Sequence, residues 1–199
     1  MPRLLTNFIR WGELLLCASG GVLWALSPLG VYLSELEYRT TDVFWKLFPT
    51  APLLLLVGLM GLHARLAGRS GRLGRTGSFV AFSGLVLVLA GDIGEFWLGI
   101  DDTYLLMAPA YHVFRAGLIF LGVGSVLFGL GALRAGALPP WGALPFVLGS
   151  VGGLISFSRD LGYVGATLWI LYGVGWTWLG LVPVLEAVLS RRKKRPVKS

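Results

Sequence analysis

Long apolar stretches alternate with short polar links along this chain. A helix needs about 20 apolar residues to cross a hydrocarbon core about 30 Å thick. Six stretches approach that length, and we predict a transmembrane helix in each: 11–33, 47–66, 77–99, 108–133, 141–157 and 161–189. The predicted fold is therefore all-α, a polytopic membrane protein with a six-helix transmembrane domain over residues 1–190 and a basic cytoplasmic tail over 191–199.

The first stretch follows only two basic residues and lacks a clear small-residue cleavage site, so we interpret it as a retained helix and not as a signal peptide. The charges then indicate an orientation. With six crossings and an inner N-terminus, thirteen of the 17 Lys and Arg residues fall inside, mostly in the link 65–75 and in the tail. Because cytoplasmic loops carry an excess of Lys and Arg, both termini are predicted to be cytoplasmic.

Composition favours lipid as the solvent, since 55% of residues are hydrophobic and 14% are charged, against about a quarter in soluble domains. The net charge is +7, and the basic residues lie where the positive-inside rule expects them in a membrane protein. No nucleic-acid recognition motif accompanies them. The predicted partners are the lipid bilayer and, at the basic tail, anionic lipid headgroups, but not nucleic acid. Cys17 is the only cysteine, which excludes an intrachain disulfide.

The 29 glycines allow helix backbones to approach closely in lipid. Small residues four apart, such as Gly149 with Gly153 and Ser125 with Gly129, predict either tight packing within the chain or contact with a membrane protein partner or a second copy. The segments 60–68 and 128–136 are similar, and each precedes two glycines seven apart. This similarity favours a parallel repeat of helices 2–3 and 4–5, with chance similarity in a glycine-rich chain as the alternative.

Ionisable residues cluster at the predicted outer ends of helices 3 and 4. Asp92 and Glu95 are three residues apart, as are His112 and Arg115, so each pair is predicted to share a helix face. Because a short loop makes the two helices antiparallel neighbours, Arg115 is expected to meet Asp92 or Glu95. Further charged residues extend the cluster: Asp101, Asp102, Arg159 and Asp160.

Two interpretations of this cluster stay open. In the first it is a polar clasp, in which the arginine and a carboxylate satisfy each other and hold helix 3 against helix 4. In the second it is a ligand, proton or cation site open to the outside, because ionisable groups within a membrane generally serve function.

Aromatic residues are concentrated in helix 6. Trp169, Tyr172 and Trp176 lie too deep for an interfacial belt, and Trp24 of helix 1 is expected to face them. They predict a pocket for an apolar or cationic molecule or, alternatively, bulky filling opposite glycine-rich helices.

No cofactor, metal or catalytic residue is predicted. His63 and His112 fall near opposite membrane faces, which excludes a haem held by both, and the usual zinc and serine-nucleophile motifs are absent. The leading hypothesis is a non-catalytic integral membrane protein, an accessory or partner-binding subunit. The alternatives are a small transporter or ligand-binding membrane protein with an outward-facing acidic site and, more weakly, an intramembrane enzyme.

One connection carries a resemblance. The segment Gly131-Ala-Leu-Arg-Ala-Gly-Ala-Leu-Pro-Pro-Trp141 resembles short Arg and Leu-Pro-x-Trp turns in small multi-pass bacterial inner-membrane proteins of unassigned function. The resemblance implies a location in the bacterial cytoplasmic (inner) membrane.

Overall fold

The computed structural model describes the backbone of residues 2–34, 46–66, 68–103, 107–158 and 162–193, with the side chains of 2–11, 29–34, 102, 103, 162, 163 and 186–193 excepted. Over these ranges the protein is all-helical. The helices are α1 Pro2–Ser34, α2 Thr50–Leu66, α3 Gly71–Asp92, α4 Ile100–Thr103, α5 Pro109–Arg134, α6 Pro140–Ser158 and α7 Gly162–Lys193, with a π-helical turn, Ile93–Trp97, after α3. The end of the predicted basic tail, 194–199, lies outside the described residues.

Four of these helices are long and apolar enough to cross a membrane: Gly71–Trp97, Pro109–Arg134, Pro140–Ser158 and Val164–Leu185. The apolar parts of α1 and α2 are shorter, Gly12–Pro28 and Thr50–Leu66. Large apolar side chains, among them Phe79 and Leu148, remain exposed on the outside of the bundle. The chain therefore has the architecture of an integral membrane protein, with four helices that can span the bilayer.

The six long helices form a closed ring. Each packs against two neighbours, in the order α1, α2, α3, α5, α6, α7 and back to α1. Neighbouring helices are antiparallel, since contacts move up one helix as they move down the next; Gly58 and Gly61 of α2, for example, face Cys17 and Glu13 of α1. The ring encloses a core of apolar and aromatic side chains, which includes Trp24, Leu55 and Leu121.

The helices α3 and α5 form the most intimate pair of the ring. Glycines recur every seven residues on both, at 77, 84 and 91 on α3 and at 117, 124 and 131 on α5. A Cβ added at any of these positions would overlap the backbone of the opposite helix; at Gly84 it would lie 2.6 Å from the Leu121 Cα. The missing side chains therefore bring the two backbones into direct contact over their full length.

The ring closes between the first and last helices in a similar way. A Cβ at Gly21 of α1 would lie 2.7 Å from the Gly173 carbonyl oxygen, and one at Gly173 of α7 would lie 2.6 Å from the Gly21 carbonyl oxygen. Two turns further along α7, Gly180 packs on the backbone of Ala18. Contacts between the two ends of the sequence thus complete the bundle.

Candidate functional site

A carboxylate faces the interior of the ring. The buried side chains of α3 follow a stripe with alternating spacings of four and three residues: Ala81, Leu85, Val88 and Asp92. This spacing marks one face of a helix, and the first three members belong to the hydrophobic core. Asp92 continues the same stripe and is 0% exposed, so its side chain is directed inward.

Neither carboxylate oxygen of Asp92 has a hydrogen-bond partner among the residues that the structure describes. Burying a polar group without a partner costs roughly 1 to 3 kcal/mol in mutational data, and more when the group is charged. Within a membrane protein, such residues normally pair or serve function. Among the described residues, Asp92 is the one buried acidic side chain, and it has no hydrogen bond.

The helix changes its winding directly after Asp92. The N–H of Leu98 donates to the Ile93 carbonyl at 3.0 Å, five residues back, which defines the π-helical turn. Because the α-helical register ends here, Glu95 is displaced from the face of Asp92 and is only partly buried. The π-helical turn changes the spacing of the two carboxylates from that of the predicted α-helical face, and they remain close enough to interact electrostatically. Turns of this kind are frequent at functional sites.

Arg115, predicted to meet Asp92 or Glu95, makes no hydrogen bond to the Asp92 carboxylate in the structure. At this level the inward positions of α5 are taken by Ala110, Phe114 and Gly117, and both His112 and Arg115 are exposed. The Arg115 Nη2 instead donates to the Ser158 carbonyl at 3.5 Å, at the limit of a hydrogen bond. Among the four clustered residues, Asp92 and Glu95 interact electrostatically.

We expect Arg115→Ala to change the free energy of unfolding by no more than about 0.5 kcal/mol, as is usual for exposed side chains without strong contacts. Denaturant unfolding of the detergent-solubilised protein measures this. A loss of about 3 to 5 kcal/mol, typical of breaking a buried ion pair, would contradict the observed geometry and restore the clasp.

Asp101 has a structural role. Its Oδ1 accepts from the Ala110 N–H at 2.8 Å and its Oδ2 from the Tyr111 N–H at 2.9 Å, at the N-terminus of α5. These N–H groups have no partner within the helix, and the negative charge is favourable at the positive end of the helix dipole. Arg159 and Asp160 lie outside the described residues, as does the side chain of Asp102.

Aromatic rings fill the core at the end of the ring that contains Asp92. We call this the aromatic cluster; its members are Trp24, Phe48, Phe114, Phe157, Trp169 and Tyr172. The structure brings the predicted residues Trp24, Trp169 and Tyr172 together, with Trp24 5.4 Å from each of the other two rings. Trp176 lies one turn further along α7, 6.3 Å from Tyr172. Centroid distances of 5 to 6 Å are contact distances, so these rings pack against each other.

Three phenylalanines of the cluster were not predicted from the sequence. Phe48 lies 5.1 Å from Trp24 and 6.1 Å from Phe114, and Phe157 lies 5.0 Å from Trp169. Phe114 connects the cluster to the carboxylate, because its backbone packs directly on Gly91, the residue before Asp92. Phe114 belongs to α5, Phe157 belongs to α6 and Phe48 lies in the turn before α2, so no local sequence signal joins them.

Some polar atoms of the cluster have a hydrogen-bond partner and others have none. The Tyr172 hydroxyl and the Ser125 hydroxyl are 2.9 Å apart, and the Trp169 Nε1 donates to the Ser27 Oγ at 3.3 Å. The Trp24 Nε1, fully buried, has no hydrogen-bond partner within the described part of the chain. A donor and a carboxylate without partners therefore occur in the same core.

The described ranges contain no group of three or more His, Cys, Asp or Glu side chains that could hold a metal ion. His63, at the other end of the ring, lies with its Nδ1 2.6 Å from the Ser78 Oγ. Comparison with protein-family models, with curated proteins and with solved structures found no match to this chain. The geometry of the site is therefore the basis for its function.

Proposed function

We propose that the protein is a small transporter or ligand-binding membrane protein that takes a small monovalent cation at Asp92. The observation that carries this proposal is the complete burial of a carboxylate whose two oxygens have no partner among the described residues. A carboxylate kept in such a position at a cost to stability supports a role other than packing. A cation supplies the missing partner.

The surroundings of Asp92 favour a small ligand. The aromatic cluster lies at the same end of the core, and aromatic rings attract cations by roughly 2 kcal/mol or more when water is excluded. Their contact packing limits the free space to a small ion, such as a proton, a sodium ion or a methylated ammonium ion. Glu95, three residues further along the chain and partly exposed, is suited to pass such an ion to Asp92.

The accessory-subunit hypothesis loses part of its support. It depended on small-residue faces that were open to a partner. In the ring, Gly149 packs on the backbone of Leu171 and Gly153 packs on the Tyr172 ring. Gly129 packs on Val147, and Ser125 bonds to Tyr172. These small faces are occupied by the chain's own helices, which removes the reason to assign them to another protein.

We further propose six crossings with both termini in the cytoplasm of a bacterium, which directs Asp92 toward the outer face. The antiparallel ring and the inner bias of the basic residues support this topology. The parallel repeat is part of the proposal: Gly77 and Gly84 pack on the following long helix, as do Gly142 and Gly149.

The topology predicts opposite labelling of two exposed positions. In intact cells a membrane-impermeant maleimide is expected to label Met107→Cys, at a residue 73% exposed in the link before α5. Gly68→Cys, exposed in the link between α2 and α3, is expected to react only after lysis. The native Cys17 is fully buried and serves as the unreactive background. Labelling of Gly68→Cys from outside would refute the orientation.

Reconstituted liposomes test the function. Uptake of sodium, methylammonium or protons is measured separately with the wild-type protein, Asp92→Asn and His112→Gln, the last being an exposed residue at the same end of the bundle. We expect saturable uptake of at least one of these cations, at least tenfold slower in Asp92→Asn and unchanged in His112→Gln. Wild-type rates equal to those of Asp92→Asn for all three cations would reject the proposal.

A further inference from the structure

A groove opens to the outside of the ring between α2 and α3, neighbours that contact each other less extensively than the other pairs of the ring. The groove has a volume of about 230 Å³ and is lined by Leu59, Met60, His63, Ser78, Phe79 and Phe82. Met60 and Phe79 are 60% and 68% exposed at its rim. In a membrane protein, this apolar rim faces the acyl chains of the lipids.

One end of the groove is polar. The Ser78 hydroxyl donates to the Arg75 carbonyl at 2.9 Å and also lies 2.6 Å from the His63 Nδ1. The His63 ring also packs edge-on against Phe79 at 5.9 Å. The imidazole and the hydroxyl are thus held at the boundary between the apolar wall and the link.

The same end of the groove is strongly basic. Arg69, Arg72 and Arg75 are exposed in the link and in the first turns of α3, and Arg75 lies one helical turn before Ser78. Arg65, also exposed, is two residues after His63. The described residues of this link, 68–70, and of the first turns of α3 include no acidic residue to offset these charges.

We propose that this groove binds one anionic phospholipid, with an acyl chain along Met60, Phe79 and Phe82 and the phosphate at the arginines. The occupant follows from charge complementarity and from the apolar wall next to the basic end. Basic pockets between membrane helices recognise lipid phosphates in this manner, and arginine binds phosphate oxygens in bidentate geometry. This site is at the opposite end of the ring from Asp92 and does not depend on the proposed cation function.

Native mass spectrometry of the solubilised protein tests the site. The protein is equilibrated with equal amounts of phosphatidylglycerol and phosphatidylcholine that carry the same acyl chains. We compare the wild type with the groove variant R69Q/R72Q/R75Q and with the tail variant R191Q/R192Q/K193Q, which removes the same net charge. We expect one phosphatidylglycerol bound preferentially to the wild type and to the tail variant. In the groove variant the preference should fall at least tenfold, since three basic residues near a lipid surface contribute roughly fivefold each.

Two further measurements separate a lipid site from a general charge effect. Met60→Trp fills the groove and is expected to reduce retention of phosphatidylglycerol, whereas Leu148→Trp, exposed at 69% on α6, is not. Free glycerol phosphate at millimolar concentration is expected to displace none of the lipid. Equal lipid preference in the groove and tail variants, equal effects of the two tryptophan substitutions, or full displacement by glycerol phosphate would each overturn the proposal.

Discussion

Gly84→Leu is expected to destabilise the protein by about 3 kcal/mol or more, which is at or above the top of the usual range for overpacking. The added Cβ alone would lie 2.6 Å from the Leu121 Cα and 2.8 Å from the Gly117 carbonyl oxygen. Both atoms belong to the backbone of α5, so no side-chain rotation relieves the overlap. Unfolding of the detergent-solubilised protein, followed by circular dichroism, measures the loss.

The matched control is Gly12→Leu. Gly12 is also a helical glycine, but a Cβ added there meets no atom within 4 Å. We expect this substitution to leave the unfolding midpoint nearly unchanged, or to raise it slightly because leucine is the better helix former. Equal losses for the two variants would mean that helical glycine itself, and not the contact between α3 and α5, determines stability.

Asp92→Leu is expected to raise the free energy of unfolding by about 1 to 3 kcal/mol while abolishing cation uptake. The substitution removes a buried group without a hydrogen bond among the described side chains and continues the apolar stripe formed by Leu85 and Val88. When a functional residue lowers stability, its substitution raises stability and lowers activity. Denaturant unfolding of the variant, beside the uptake assay, measures both quantities.

The same substitution at Asp101 provides the contrast. Asp101→Leu removes two hydrogen bonds to the N-terminus of α5 and is expected to cost about 1 to 2 kcal/mol. Substitution by leucine is therefore expected to raise the free energy of unfolding at Asp92 and to lower it at Asp101. If Asp92→Leu destabilises the protein as Asp101→Leu does, the Asp92 carboxylate stabilises the fold and the proposed cation site loses its main support.

Hydropathy alone identified the long helices, because the apolar runs are long and the links are short. The boundaries were less accurate where charge enters a helix: α3 begins at Gly71, ahead of the predicted residue 77, since Arg72 and Arg75 lower the hydropathy of its first turns. The heptad spacing of the glycines in α3 and α5 was legible in the sequence. The direct contact between the backbones of α3 and α5 could not be predicted, because the spacing does not say which helix each glycine faces.

The polar site was harder to predict. The depth of Asp92 can be read from the sequence, but whether Arg115 meets Asp92 or Glu95 cannot be derived from helix spacing, for two physical reasons. The π-helical turn shifts Glu95 out of α-helical register, and α5 turns Arg115 away from the core. Facing depends on the rotation of each helix about its own axis, which close glycine contacts determine and which a single sequence leaves open.

The closed ring also bears on how the protein is made. The pairs α1 with α2, α3 with α5, and α6 with α7 join helices that are neighbours in sequence, so each can associate soon after synthesis. The contact of Gly21 with Gly173 joins helices at opposite ends of the chain. During translation, the face of α1 at Gly21 therefore stays without its partner helix until the last helix leaves the ribosome. A chain truncated before α7 would present that open face to membrane proteases.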